Sequence, residues 1–160
     1  MSAIISPCGQ YRYLLSRPAD SMSPMKSTAL FLMLNPSTAD ASLDDPTIRR
    51  CRGFAKTWDC NGISVANLYA LRSTDPAALW VHEDPIGPDN DLYLAKFARE
   101  YHDVVCAWGA NARPDRVSAV SKILRDAGAR LWCLGMTKDG SPRHPLYVRA
   151  DQPLIEWSPA

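Results

Sequence analysis

The chain has 160 residues, 46% hydrophobic and 22% charged, with a formal net charge of +1. That length is enough to bury a core as one domain, spanning residues 1–160. No run approaches the about 18 consecutive apolar residues of a membrane span. The start, Met-Ser-Ala-Ile-Ile-Ser, lacks the basic segment and long apolar stretch of a signal peptide. The expectation is a soluble cytoplasmic domain with no membrane partner. Near-neutral charge excludes binding nucleic acid through a broad basic face, so any such contact must rest on local clusters and be salt-sensitive.

The five cysteines, at 8, 51, 60, 106 and 133, form no Cys-x-x-Cys pair, so a zinc or iron–sulfur site has no ligand spacing to support it. They read as free thiols, with Cys106 and Cys133 as small buried hydrophobes inside apolar runs.

Residues 11–17 alternate weakly and suit an edge strand, and 18–27, rich in Ser, Pro and Met, suit a loop. Residues 28–34 (TALFLML) form a continuous apolar run that stops at Asn35-Pro36, as expected of a strand buried on both faces in a parallel sheet. After a polar loop, Asp45 suits a helix N-cap with Pro46 in the first turn. Ile48, Cys51, Ala55 and Trp58 then recur at helical spacing, with Arg49, Arg50, Arg52 and Lys56 on a basic flank.

Residues 62–71 (GISVANLYAL) predict a second strand, broken near its end by Asn67, and Thr74-Asp75-Pro76 opens a short helical segment. A Pro/Gly loop at 83–89 precedes a helix from about Asn90, marked by Leu94, Phe97, Ala98 and Tyr101. Residues 103–108 (DVVCAW) predict a third buried strand closed by Gly109. Pro114 opens a helix that Gly128 stops. Residues 130–134 predict a fourth strand, leading to Pro142-Arg143-His144-Pro145, and 153–157 predict a last one. Strands alternating with helices predict an α/β fold: a three-layer α/β/α sandwich around a short, mainly parallel four-stranded sheet, with room for extra edge strands.

In such sheets ligands bind beyond the carboxyl ends of the strands. That rule gathers Asn35, Pro36 and Ser37, then Asn67 and Tyr69, then Trp108, and last Arg143 and His144. Asn35 is either a turn residue bonding its own loop or a group that holds a water through its carbonyl. Asn67 either caps the sheet or reads a base edge. His144, between prolines, is either structural or a positioned imidazole. Among Asp40, Asp44 and Asp45, Asp45 already serves as a cap, leaving Asp44 as the candidate general base. Arg49 and Arg50 either contact phosphate or form a solvated face. No phosphate-binding glycine loop, Ser-His-Asp order or cofactor motif is present.

The segments LNPSTAD, DDPTIRRC, NLYALRSTDP, AWG and PRHPLY together resemble a bacterial family of unknown function. More distantly, the succession of Asn35-Pro36, Asn67, Trp108-Gly109 and His144-Pro145 at strand ends resembles the uracil-DNA glycosylase superfamily. That resemblance implies a glycosylase-like fold and hydrolysis of a base–sugar bond in DNA or a related nucleotide or nucleoside. Asn35 would then position the water, Asn67 would bond the base, and His144 would stabilise charge on the leaving base. Leu146 or Tyr147 would fill the gap left by a flipped base. Ser37 replaces a glycine of that pattern, and the serine and second proline of its His-Pro loop are missing. Trp58 and Tyr69 are the candidates to stack on the base. The alternatives are a module of the same fold that binds a nucleotide or nucleic acid without cutting, or an interaction scaffold with a vestigial pocket.

Overall fold

The computed structural model describes residues 2–18, 27–37 and 44–159. The interiors of the two predicted early loops, and with them Asp40, lie outside the described residues. Seven strands form one sheet: β1 Ser2–Ile5, β2 Arg12–Arg17, β3 Thr28–Met33, β4 Gly62–Asn67, β5 Asp103–Cys106, β6 Arg130–Cys133 and β7 Ile155–Glu156. Their order is β1-β2-β4-β3-β5-β6-β7. The helices are α1 Pro46–Thr57, α2 Asn90–Tyr101 and α3 Pro114–Asp126, with 3₁₀ turns at Pro76–Trp80 and Pro145–Tyr147.

This corrects the expected short, mainly parallel four-stranded sheet, and with it the glycosylase-like fold. β3 pairs in parallel with β4 and β5, and β5 with β6. The pairs β1–β2, β2–β4 and β6–β7 are antiparallel, so the sheet is mixed. The physical reason lies at the two ends of the chain. A short turn joins β1 to β2, which antiparallel geometry permits and parallel geometry does not. β2 is therefore not an edge strand: β1 covers it.

Strand alternation explains the uninterrupted apolar run of β3. Leu30 and Leu32 face a core shared with Leu94, Phe97, Val120 and Leu124 of α2 and α3. Phe31 and Met33 face the other side, against Ile48, Phe54 and Ala55 of α1. With helices on both faces, neither set of β3 side chains meets water. Phe31 is wholly buried, and truncation to alanine would cost about 3–5 kcal/mol.

Local signals set the helix starts. The Asp45 carboxylate accepts from the Ile48 N–H at 2.8 Å, and Pro46 follows in the first turn. α3 likewise opens on Pro114, and Gly128 at φ +88° follows its end. β4 is shorter than its apolar run: the regular strand ends at Asn67, although Leu68 and Tyr69 still donate to the carbonyls of Met33 and Leu34. All five cysteines are free. Among the described residues no helix is long and apolar enough to cross a membrane.

Candidate functional site

Because β3, β4, β5 and β6 run parallel, their carboxyl ends share one edge of the sheet. The segments beyond that edge enclose a cleft of about 580 Å³. Met33, Val65 and Ile48 supply apolar lining, and Asn35, Asn67 and His144 all reach it. So do Pro36, Ser37, Trp108, Arg143, Leu146 and Tyr147.

Asn35 follows the end of β3. Its amide nitrogen lies 2.9 Å from the Ser73 carbonyl, 3.1 Å from that of Pro36 and 3.4 Å from that of Leu71. All three neighbours are acceptors, so the NH₂ must face them and the side-chain oxygen must face away. The turn-forming and water-holding readings of this residue are thus compatible. The loop uses the donors, and Oδ1 is left as an acceptor on a residue that lines the cleft.

Asn67 closes β4 and is 2% exposed. Its Nδ2 has no hydrogen-bond partner, an arrangement costing about 1–3 kcal/mol unless something binds there. The backbone at this point is tightly held. Asn90, fully buried at the start of α2, donates to the carbonyls of Asn67 and Leu68 at 3.0 and 3.1 Å. Arg116 of α3 adds a 2.9 Å bond to the Leu68 carbonyl while pairing with Asp91 at 2.7 Å. Asn90 is expected from the sequence only as a helix start, and Arg116 is not singled out by it.

His144 sits half-buried before the turn Pro145–Tyr147. Its Nδ1 accepts from the Leu146 N–H at 3.2 Å, so the proton of the neutral imidazole resides on Nε2. Burial pushes its pKa below the ordinary value, against the opposing effect of Asp45. The result is a neutral ring with an Nε2–H donor. Gly109, at φ +78°, makes the turn that lets its N–H bond the Pro142 carbonyl at 2.9 Å, tying the end of β5 to the histidine loop.

Of the two adjacent aspartates, Asp45 faces the cleft. Its carboxylate accepts from Ile48 N–H and from the Ser37 hydroxyl at 2.9 Å. The candidate base Asp44 does not line the cleft; it pairs with buried Arg17 at 2.6 Å and with Arg52 at 3.1 Å. Burial acts to raise the Asp44 pKa, but the hydrogen bonds and charges of Arg17 and Arg52 prevail and hold it below the ordinary value. A carboxylate so held is a poor proton acceptor.

Arg49, Arg50, Tyr69 and Trp58 do not line this cleft. Arg49 bonds the Asp44 carbonyl at 2.9 Å, and Arg50 turns toward the carbonyls of Pro145 and Val148. Tyr69 lines a separate cavity of about 340 Å³ with Trp80 and Arg113, and its hydroxyl accepts from the Arg113 N–H at 3.3 Å. Trp58 stacks on Phe31 and Phe54, away from the cleft, whereas Trp108 stays on the cleft and packs edge-on against Trp157. The aromatic ring at the mouth is that of Tyr147, 77% exposed beside Leu146.

Arg12 is a cleft residue that the sequence reading missed. It is 4% exposed, and burial beside Arg72 pushes its pKa down to about 10, leaving it charged at neutral pH. A charged residue in a weakly alternating strand was the available signal. No group of three or more His, Cys, Asp or Glu suited to a metal occurs among the described residues.

The family described as protein of unknown function (DUF1643) matches residues 12–146. The chain belongs to that family. The span matched to DUF1643 begins at Arg12 and ends at Leu146, so it takes in every cleft residue named above except Tyr147. Neither a curated protein nor a solved structure matches the chain.

Proposed function

We propose that this DUF1643 protein hydrolyses the base–sugar bond of a damaged or modified nucleotide, with the base held in the cleft. The observation carrying this reading is the complementary hydrogen-bonding state of three side chains on one hollow. Asn35 offers an acceptor, Asn67 a buried donor without a partner, and His144 a neutral Nε2–H donor. The same strand-end succession underlies the resemblance to the uracil-DNA glycosylase superfamily, although the sheet differs.

Each group answers one demand of the reaction. A water oxygen forms a bond to the anomeric carbon as the bond from that carbon to the base nitrogen breaks. The bonding pair leaves with the base, and the water proton passes to solvent. Asn35 Oδ1 accepts from the attacking water and orients it. Asn67 Nδ2 donates to an acceptor on the base edge. His144 Nε2–H donates where negative charge grows on the departing base, and one such donor contributes about 100-fold or more in rate. Arg143, Leu146 and Tyr147 at the rim suit the sugar–phosphate chain and the gap left by an extruded base.

A second reading, recognition of a nucleotide without cleavage, draws on Asp45. That cleft carboxylate is already committed to Ile48 N–H and Ser37, so among the described residues lining the cleft no free carboxylate stands ready as a base.

The test is incubation of the purified protein with duplex and single-stranded oligonucleotides carrying uracil, hypoxanthine or alkylated bases. Release of base, reduced about 100-fold or more in His144→Ala, is the expected result. Absence of abasic product from every substrate, with thermal stabilisation by nucleotides, would replace hydrolysis by recognition. Absence of both would overturn the nucleobase cleft.

A further inference from the structure

Arg50 belongs to the basic flank of α1, where a helical charge normally meets solvent. Here its guanidinium turns inward and spans a turn formed far along the chain. Nε donates to the Pro145 carbonyl at 3.3 Å and Nη2 to the Val148 carbonyl at 2.5 Å. The guanidinium carbon lies 5.4 Å from the centre of the Phe54 ring, which holds the plane of the fork. The two carbonyls bracket the 3₁₀ turn Pro145–Tyr147, whose cap is His144. The Leu146 N–H that bonds His144 Nδ1, and so selects the Nε2–H tautomer, belongs to the same planar peptide group as the Pro145 carbonyl that Arg50 holds.

We infer that Arg50 is a positioning residue: by clamping both ends of the turn after His144 to α1, it fixes the orientation and tautomer of the imidazole that faces the cleft. The inference deepens the proposed hydrolysis and rests on that reading only for its catalytic consequence. A planar fork is needed because two carbonyls must be met from one side chain. Lysine, a point charge on a flexible stem, can meet one of them. Arg50 touches neither cleft nor substrate, so its effect must pass through His144.

The experiment compares wild-type protein with Arg50→Ala and Arg50→Lys by hydrogen exchange at the Leu146 amide and by nitrogen-15 NMR of the His144 ring. Base release is measured alongside. In Arg50→Ala the Leu146 amide is expected to exchange about tenfold faster, equivalent to loss of one hydrogen bond, and the Nδ1–H tautomer appears. Lysine gives an intermediate result. With a cleavable oligonucleotide, kcat falls and KM stays within about twofold, as expected when a group acting in the transition state is misplaced.

Unchanged Leu146 and His144 signals in a folded variant overturn the inference. If the alanine variant fails to fold, the lysine variant carries the same test. Loss of the fold in both also overturns it, because Arg50 would then support the whole molecule rather than one turn. If the wild type releases no base but the NMR changes occur, the clamp stands and only the hydrolytic reading falls.

Discussion

Asn90, at the first turn of α2, donates its side-chain amide to the carbonyls of Asn67 and Leu68 just where β4 ends. Two acceptors on one NH₂ leave its own Oδ1 buried without a partner. This strained economy makes sense if holding Asn67 in place matters more than stability. Replacing Asn90 with leucine takes a donor from buried carbonyls and relieves one orphan oxygen, for a net cost of about 1–3 kcal/mol. Urea unfolding should show a lower midpoint with an unchanged slope. Asn90→Asp should fare worse, since a carboxylate has no hydrogen to offer.

Asn67 itself should behave in the opposite way. Its Nδ2 has no bond to lose, and relief of that buried donor offsets the packing lost on truncation, so Asn67→Ala should destabilise the free protein by no more than about 1 kcal/mol. The same substitution should abolish any rise in Tm caused by nucleotides carrying uracil or hypoxanthine. A cost well above that figure, with ligand stabilisation retained, would make Asn67 a structural amide.

What the sequence disclosed follows how locally each feature is determined. The run of β3, the Asp45 cap and the helix-opening prolines depend on neighbours within a turn or two, and each was readable. The pairings of β1, β2 and β7 depend on where distant segments arrive; the few residues of Ser2–Ile5 have too short a pattern to announce a strand. Tyr69 lies two residues after Asn67 and in a continuing strand would share its face. The regular strand stops at Asn67, so the ring turns into the opposite core with Trp80. The choice between Asp44 and Asp45 on the cleft depends on the distant β2 residue Arg17. Arg50 lies off the apolar stripe of α1, as expected, but its reach to carbonyls 95 and 98 residues onward has no sequence signature.

Asp44 makes an acid-dependent contribution to stability. Its pKa in the folded protein is lowered: burial opposes this, but the hydrogen bonds and charges of Arg17, then Arg52, outweigh it. A lowered carboxylate pKa adds stability above the ordinary value and loses it as pH falls through the folded value. Asp44→Asn should cost about 2 kcal/mol at neutral pH. The gap between wild type and variant should narrow below about pH 4. Unfolding midpoints across that range test both statements; a gap independent of pH would assign the cost to shape and not to charge.

His144 carries the sharpest pH prediction. Burial lowers its pKa in the folded protein, while Asp45 pushes the other way. The unfolded chain, near 6.5, therefore takes up a proton before the folded chain does. Stability contributed by the neutral ring is present above that pH and is lost as pH falls through the folded value. NMR titration of the ring should give a midpoint below 6.5, and base release should stay level through 6.5 before declining. Asp45→Asn is the perturbation of choice, because asparagine also caps helices: its Oδ1 can accept from Ile48 N–H, while its amide N–H can donate to the Ser37 hydroxyl oxygen. With the carboxylate removed, nothing from Asp45 holds the proton on His144, so the midpoint should move further toward acid and the decline should move with it. A midpoint at or above 6.5, or a shift toward neutral pH in Asp45→Asn, would contradict burial as the dominant influence on the ring; a midpoint above neutral pH would make it a cation there, unable to serve as the neutral donor.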